Sequence, residues 1–198
     1  TTSALISNME QPLGNMLGNA IEVDEAVKVL EGNGPDSVRT ISIALGCEAL
    51  LAANIEAEIE EANIRLASLL DRGIAREKFA QMVAAQGGNL DAPRKVAQSL
   101  VVSSKQNGFV HAIHAGTFGR SVVQLGGGRQ TLGGEIDRSV GIELCVKVGD
   151  SVEQGQDLFR IFASSSPDQP WIDKLYNAIE IAPQKQTAPP LIMDRVTA

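Results

Sequence analysis

Residues 148–158 read VGDSVEQGQDL, and this stretch decides the class of the C-terminal part of the chain. Its glycines and aspartates are turn formers, and they alternate with apolar residues that suit strands. Short runs rich in Val, Ile and Phe, separated by glycines, lie around it from residue 99 onward. They predict a small β unit with strands at 109–113, 122–125, 142–148 and 158–162.

Before residue 100 the apolar residues have helical spacing instead. One short strand is predicted at 4–6, and the second predicted helix, from Pro35 to Ala52, is so apolar that it should be largely buried. Near the C-terminus we expect a helix over 171–179, a strand at 179–181 and a Pro-rich tail. The sequence therefore predicts an α+β chain in two domains: a mainly helical one over 1–100, with one N-terminal strand, and a small β/α domain over 101–198.

Composition and charge exclude several classes of protein. The chain has 198 residues, of which 43% are apolar, and it carries 17 Lys and Arg against 24 Asp and Glu. The net charge of −7 and the lack of a basic run argue against a nucleic-acid partner. No apolar stretch approaches the roughly 20 residues that span a bilayer. We expect a cytoplasmic protein without a membrane partner.

Three groups of residues are weak candidates for chemistry. The Gly-rich stretch 125–134 lacks P-loop spacing, so we interpret it as a structural loop. His111 and His114 lie in or beside a predicted strand, where residues three apart face opposite sides, which disfavours a shared metal. Cys47 and Cys145 are far apart and have apolar neighbours, which predicts two buried thiols rather than a disulfide or a metal site.

The pattern VGDxVxxGxxL resembles the hammerhead fold, or barrel-sandwich hybrid, of biotinyl and lipoyl carrier domains. A carrier needs a modified lysine at a hairpin tip, whereas Lys105 and Lys147 are predicted to lie inside or before strands. Because the fold pattern fits but the lysine positions do not, a carrier or interaction module without catalytic activity is kept as the alternative function.

Five stretches of the sequence carry a more specific resemblance. They are ALISNMEQPLG at 4–14, GNAIEVDEA at 18–26, MVAAQGG at 82–88, LGGGR at 125–129 and IDRSVG at 136–141. Together they resemble thymidine and pyrimidine-nucleoside phosphorylases, and specifically their C-terminal half. The resemblance implies a fragment of an α/β enzyme, a pentosyltransferase that cleaves pyrimidine nucleosides with phosphate as co-substrate and without an organic cofactor. It also implies a homodimeric parent whose N-terminal half binds phosphate and base, so that this chain alone is inactive and has the missing N-terminal half as its partner.

No catalytic or substrate-binding residue can be transferred from that family to this chain, but a cation site can. The resemblance of residues 11–25 implies that a potassium-like cation is bound by the backbone carbonyls of Leu13 and Met16 and by the Glu25 carboxylate. Carbonyl and carboxylate oxygens suit a hard cation. The alternative is that Glu25 is a solvated carboxylate in the first turn of a helix.

The predicted strand near the N-terminus has a further implication. Without the rest of the parent's sheet it would expose both edges, so we expect self-association through this surface or rearrangement of residues 1–20. The sequence leaves open thymidine against broad pyrimidine specificity, and a related phosphorylase acting on nucleoside monophosphates.

Overall fold

The structure, a computed structural model, describes residues 2–197. In this range it has six α-helices, one π-helical turn and nine strands. In chain order they are β1 (Ser3–Ser7), β2 (Met16–Gly18), α1 (Ala20–Leu30), α2 (Asp36–Ala52), α3 (Ile59–Asp71), α4 (Ile74–Ala85), β3 (Ser99–Ser103), β4 (Gly108–Ile113), α5 (Ala115–Val122), the π-helical turn (Val123–Gly127), β5 (Gly141–Leu144), β6 (Ser151–Val152), β7 (Asp157–Phe162), α6 (Gln169–Tyr176), β8 (Ile179–Ala182) and β9 (Ile192–Thr197).

The elements form an α+β fold in two compact units, and all paired strands are antiparallel. We call them the helical unit (1–8, 24–93 and 190–198) and the β unit (9–23 and 94–189). Both are discontinuous in sequence, and the domain boundary at residue 100 stays a prediction. None of the helices between residues 2 and 197 combines the length and apolar character that a membrane span requires.

In the helical unit, α2 and α3 pack through a small core around Ile43, Cys47 and Ala62. The helices approach closely at Gly46, where a Cβ atom would lie 2.7 Å from Cδ1 of Leu66. The prediction that α2 is largely buried is wrong, because Leu45 is 52% exposed. Apolar residues on most sides of this helix therefore do not mean that the helix is buried.

The predicted N-terminal strand exists, but it is not isolated. β1 pairs antiparallel with β9, with Ser3 opposite Thr197, so one edge of β1 is covered. The segment 192–197 was predicted to be part of a Pro-rich tail, and this is wrong: the chain returns as a strand after its prolines. The two strands form a sheet of their own, and alternate positions such as Ile6 remain exposed.

An ion pair ties this sheet to α2. Arg195 of β9 donates from Nε to Oε1 of Glu48 at 2.6 Å and from Nη2 to Oε2 at 3.2 Å. Glu48 is buried, and the hydrogen bonds from Arg195 lower the pKa of its carboxyl. The sequence reasoning missed this carboxylate because Glu48 stands among the apolar residues of a helix.

This pair should make the stability of the chain depend on pH. Because the folded-state pKa of Glu48 is lowered, its contribution is complete above its ordinary value of 4.5 and is lost as the pH falls through the lower folded value. We expect Glu48→Gln to lower the free energy of unfolding by about 1 kcal/mol at pH 7 and by less at pH 3. Urea unfolding at both pH values measures this. The exposed Glu58→Gln is the control, and equal effects of the two substitutions would contradict the assignment.

The β unit is built on two antiparallel sheets and one core. The four-stranded sheet has the order β2-β5-β7-β3, and the three-stranded sheet has the order β6-β4-β8. Side chains from both sheets and from α5 and α6 meet in the core, where Phe118 and Phe159 lie edge to face with ring centroids 5.6 Å apart. The predicted strands at 109–113 and 158–162 are confirmed, and residues 142–144 of the predicted strand 142–148 lie in β5.

The predicted strand at 122–125 is wrong, because these residues continue α5 and enter the π-helical turn. Their Val-Val-x-Leu pattern suits a strand, but Val122 packs into the core of the β unit from a helix. Tertiary packing thus overrides the local β preference.

Candidate functional site

The loop of residues 11–15 and the strand that follows it carry two of the three predicted cation ligands. Leu13 lies in the loop and Met16 begins β2, which pairs with β5 in register Met16 to Glu143. Gly14 has a φ of +70°, a left-handed conformation that glycine adopts without strain. The loop therefore turns sharply between the two predicted ligands.

The turn at residues 147–150 of the β unit binds this loop at several points. The Val148 amide donates to Oε1 of Gln11 at 3.0 Å, and Nζ of Lys147 donates to the carbonyls of Gly14 and, at 3.4 Å, Pro12. At the end of the loop, the Leu144 amide donates to the Asn15 carbonyl at 2.7 Å. The loop is therefore fixed at both ends and in its middle.

The third predicted ligand, Glu25, lies on the part of α1 that belongs to the helical unit. It is 8% exposed, so the interpretation of Glu25 as a solvated carboxylate is wrong. The chemistry of the three residues fits a hard monovalent cation, because backbone carbonyls and a carboxylate supply only oxygen ligands. The cation site itself stays a prediction.

Lys147 is the residue that sequence reasoning misjudged. The sequence indicates it only as a candidate carrier lysine, yet its ammonium contacts backbone carbonyls more than 130 positions earlier in the chain. No local pattern could have indicated this, because the contact depends on how β2 pairs with β5.

The Gly-rich stretch 125–134 begins in the π-helical turn, where Gly126 has a φ of +98°. The Asp137 amide donates to the Gly126 carbonyl at 2.9 Å. The Asp137 carboxylate accepts hydrogen bonds from the Ser139 amide and hydroxyl and from the Ser164 hydroxyl, and these donors lower its pKa. Asp137 therefore fixes the base of the stretch, while Leu132 projects fully into solvent.

Shallow cavities open on the β unit. A cavity of about 320 Å³ is lined by Arg129, Arg138 and Glu135 among others. A further cavity, of about 260 Å³, is lined by Ser164, Asp168 and Trp171 among others. The indole N–H of Trp171 donates to Gln124 at 3.1 Å, and Asp168 caps α6, so both polar groups serve the fold.

The histidines and cysteines do not form a reactive cluster. His111 lies in β4, whereas His114 precedes α5 and its Nε2 lies 2.8 Å from Glu180 Oε1. Cys47 is buried, whereas Cys145 is only partly buried, so the prediction of two buried thiols is wrong for Cys145. Burial is still the main cause that raises the pKa of both thiols, which keeps them protonated at neutral pH. Among residues 2–197, no three His, Cys, Asp or Glu side chains are grouped to bind a metal ion.

Lys105 bears on the carrier alternative. It lies between β3 and β4, and therefore before a strand as predicted. Because β3 and β4 belong to different sheets, the segment is not a hairpin tip. Nζ of Lys105 lies 4.5 Å from the centre of the Tyr176 ring and 3.9 Å from Asp173. These contacts give the carrier function no support.

Comparisons with known proteins identify relatives of the whole chain. Residues 109–182 match the family described as "Pyrimidine nucleoside phosphorylase C-terminal domain". Three curated proteins named pyrimidine-nucleoside phosphorylase match over longer regions. The one from Geobacillus stearothermophilus is 36% identical over 202 residues, 99% of this chain and 47% of the relative.

The other two are of similar identity. The protein from Bacillus subtilis (strain 168) is 38% identical over 99% of this chain and 46% of its own length. The protein from Staphylococcus haemolyticus (strain JCSC1435) is 38% identical over the same shares. The chain thus spans slightly under half the length of the curated relatives it matches.

Proposed function

We propose that this chain, which belongs to the pyrimidine-nucleoside phosphorylase family and matches its C-terminal part, is part of an enzyme. This enzyme cleaves pyrimidine nucleosides with phosphate. The products are the free base and (deoxy)ribose 1-phosphate. The observation that carries this proposal is the identity of 36–38% over 99% of the chain to relatives named for that activity. A similarity of this extent includes both units rather than one shared domain.

Within such an enzyme, the chain supplies support rather than reacting groups. We infer that the phosphate- and base-binding residues belong to the part of the relatives that this chain does not match, and that the isolated chain is inactive. Its own contribution is the β unit, whose two antiparallel sheets around one core suit a hammerhead-like fold, and the loop at 11–15. We also propose that the Leu13 and Met16 carbonyls and the Glu25 carboxylate bind a potassium-like cation.

The partner of this chain would be an N-terminal segment equivalent to the rest of the relatives. The small sheet of β1 and β9 supports this proposal, because each strand pairs on one side only and leaves an edge for a further strand. Exposed apolar residues on this sheet, among them Ile6 and Met193, suit coverage by another segment. We extend the proposal to a homodimeric parent in the cytoplasm.

A chimera tests the proposed function. In it, residues 1–198 replace the matching C-terminal part of the Bacillus subtilis relative. We expect phosphate-dependent release of thymine or uracil from thymidine or uridine, and no release from nucleoside monophosphates. Chromatography of the products measures both. A chimera that folds but does not cleave these nucleosides would overturn the proposal.

The isolated chain is the second arm of this test. If it cleaved thymidine or uridine in phosphate buffer, the reacting groups would lie within it, and the assignment of a supporting role would be wrong. Comparing thymidine with uridine as substrates of the chimera would also report on specificity, which we assign to the part of the chimera taken from the relative.

A further inference from the structure

The Lys147 ammonium lies against backbone carbonyls of the loop at residues 11–15. Its Nζ donates to the carbonyls of Pro12 and Gly14, so two backbone dipoles that flank Leu13 converge on one positive charge. Lysine has three donors and no acceptor, so carbonyl oxygens can serve as its partners. An ammonium among carbonyls also resembles, in charge and ligand type, a monovalent cation bound by a loop.

Hydrogen bonds within the turn at residues 147–150 hold the backbone of Lys147 in place. The backbone amide of Lys147 donates to Oδ2 of Asp150 at 2.8 Å, and the Asp150 amide donates to the Lys147 carbonyl at 3.1 Å. Two hydrogen bonds join this turn to β4. The Val110 amide donates to the Asp150 carbonyl, and the Gly149 amide donates to the Val110 carbonyl. The backbone that carries the ammonium is therefore anchored to the β unit.

We propose that Lys147 is a positioning residue whose ammonium acts as a tethered cation for the loop at residues 11–15. Convergent carbonyl dipoles repel one another, and a positive charge between them offsets that repulsion. Because the Pro12 and Gly14 carbonyls are both bound, the peptide groups of Leu13 between them are oriented as well. The use of this loop in a reaction rests on the proposed function, but its ordering by Lys147 does not.

Amide hydrogen exchange on the full chain tests this inference without an activity assay. The amides of Leu144 and Val148 are the probes, because their acceptors, the Asn15 carbonyl and the Gln11 side chain, lie in the loop. The Cys145 amide is the internal control, because its acceptor is the Leu158 carbonyl of β7. Local opening of a loop accelerates exchange only at the amides that the loop protects.

We expect Lys147→Met to accelerate exchange at both probe amides at least tenfold and to leave the Cys145 amide unchanged. Lys147→Arg, which keeps the charge, should restore most of the protection. Unchanged exchange at Leu144 and Val148 in Lys147→Met would overturn the inference.

If Lys147→Met does not fold, a comparison of Lys147→Gln with Lys147→Arg decides. The inference requires that the probe amides exchange more slowly in Lys147→Arg than in Lys147→Gln, and equal exchange in the two variants would overturn it. An inactive chimera would count against the proposed function alone, since these measurements concern only the isolated chain.

Discussion

Phe159→Ala is expected to lower the free energy of unfolding of the β unit by about 4 kcal/mol. Phe159 is fully buried on β7, and its ring meets Phe118 of α5 at an interplanar angle of 84°. The substitution removes the apolar contacts, leaves a cavity between sheet and helix, and loses the edge-to-face contact. Such a loss is a large part of the stability of an ordinary domain, typically about 5–15 kcal/mol.

Urea unfolding followed by tryptophan fluorescence measures this effect, because the single tryptophan, Trp171, packs against the same core. Leu132→Ala is the matched control, since that side chain is fully exposed and should change the midpoint little. Similar midpoints for both variants would mean that Phe159 does not pack in this core.

Gly141→Ala is expected to have the second largest effect, a loss of about 3 kcal/mol, at the upper end for overpacking. A Cβ atom at this position would lie 2.5 Å from Cδ1 of Ile21 and 2.6 Å from the Leu17 carbonyl. The carbonyl belongs to the backbone of β2, which cannot move without disturbing its pairing with β5. We therefore expect β2 to separate from β5 and the loop at 11–15 to lose its order.

Gly119→Ala is the control for this prediction. It lies in α5, and a Cβ atom there would meet no atom within 4 Å, so the helix propensity of alanine should raise stability by about 0.5–1 kcal/mol. Urea unfolding gives both changes, and exchange at the Leu144 amide reports the detachment of β2. A Gly141→Ala protein as stable as the wild type would show that the strands are farther apart than in this structure.

The sequence predicted the bounds of the second helix well. α2 begins one residue after the predicted Pro35 and ends at the predicted Ala52, because Pro35 suits a first helical position and apolar residues follow it at helical spacing. The same reasoning failed at residues 122–125, where β-branched residues lie in a helix, and at 192–197, where the partner strand is almost the whole chain away. Both errors arise from long-range packing, which no local pattern records.

The candidate site, too, could be predicted from the sequence only in part. The resemblance indicated the segment around Leu13 and Met16, because its motif is contiguous in sequence. It could not indicate Lys147, whose contact with that segment depends on strand pairing, nor Glu48, whose partner Arg195 lies on the last strand. Contacts between distant residues are visible only once the chain is folded.

The pairing of β1 with β9 bears on the order in which the chain acquires its structure during synthesis. Ser3 can meet Thr197 only after the residues between them have left the ribosome, and closing so large a loop carries a high entropic cost. The helices between Asp24 and Pro93 emerge before β9 and can pack earlier. The sheet of β1 and β9 therefore forms only after β9 has been translated, and until then β1 is not paired with β9.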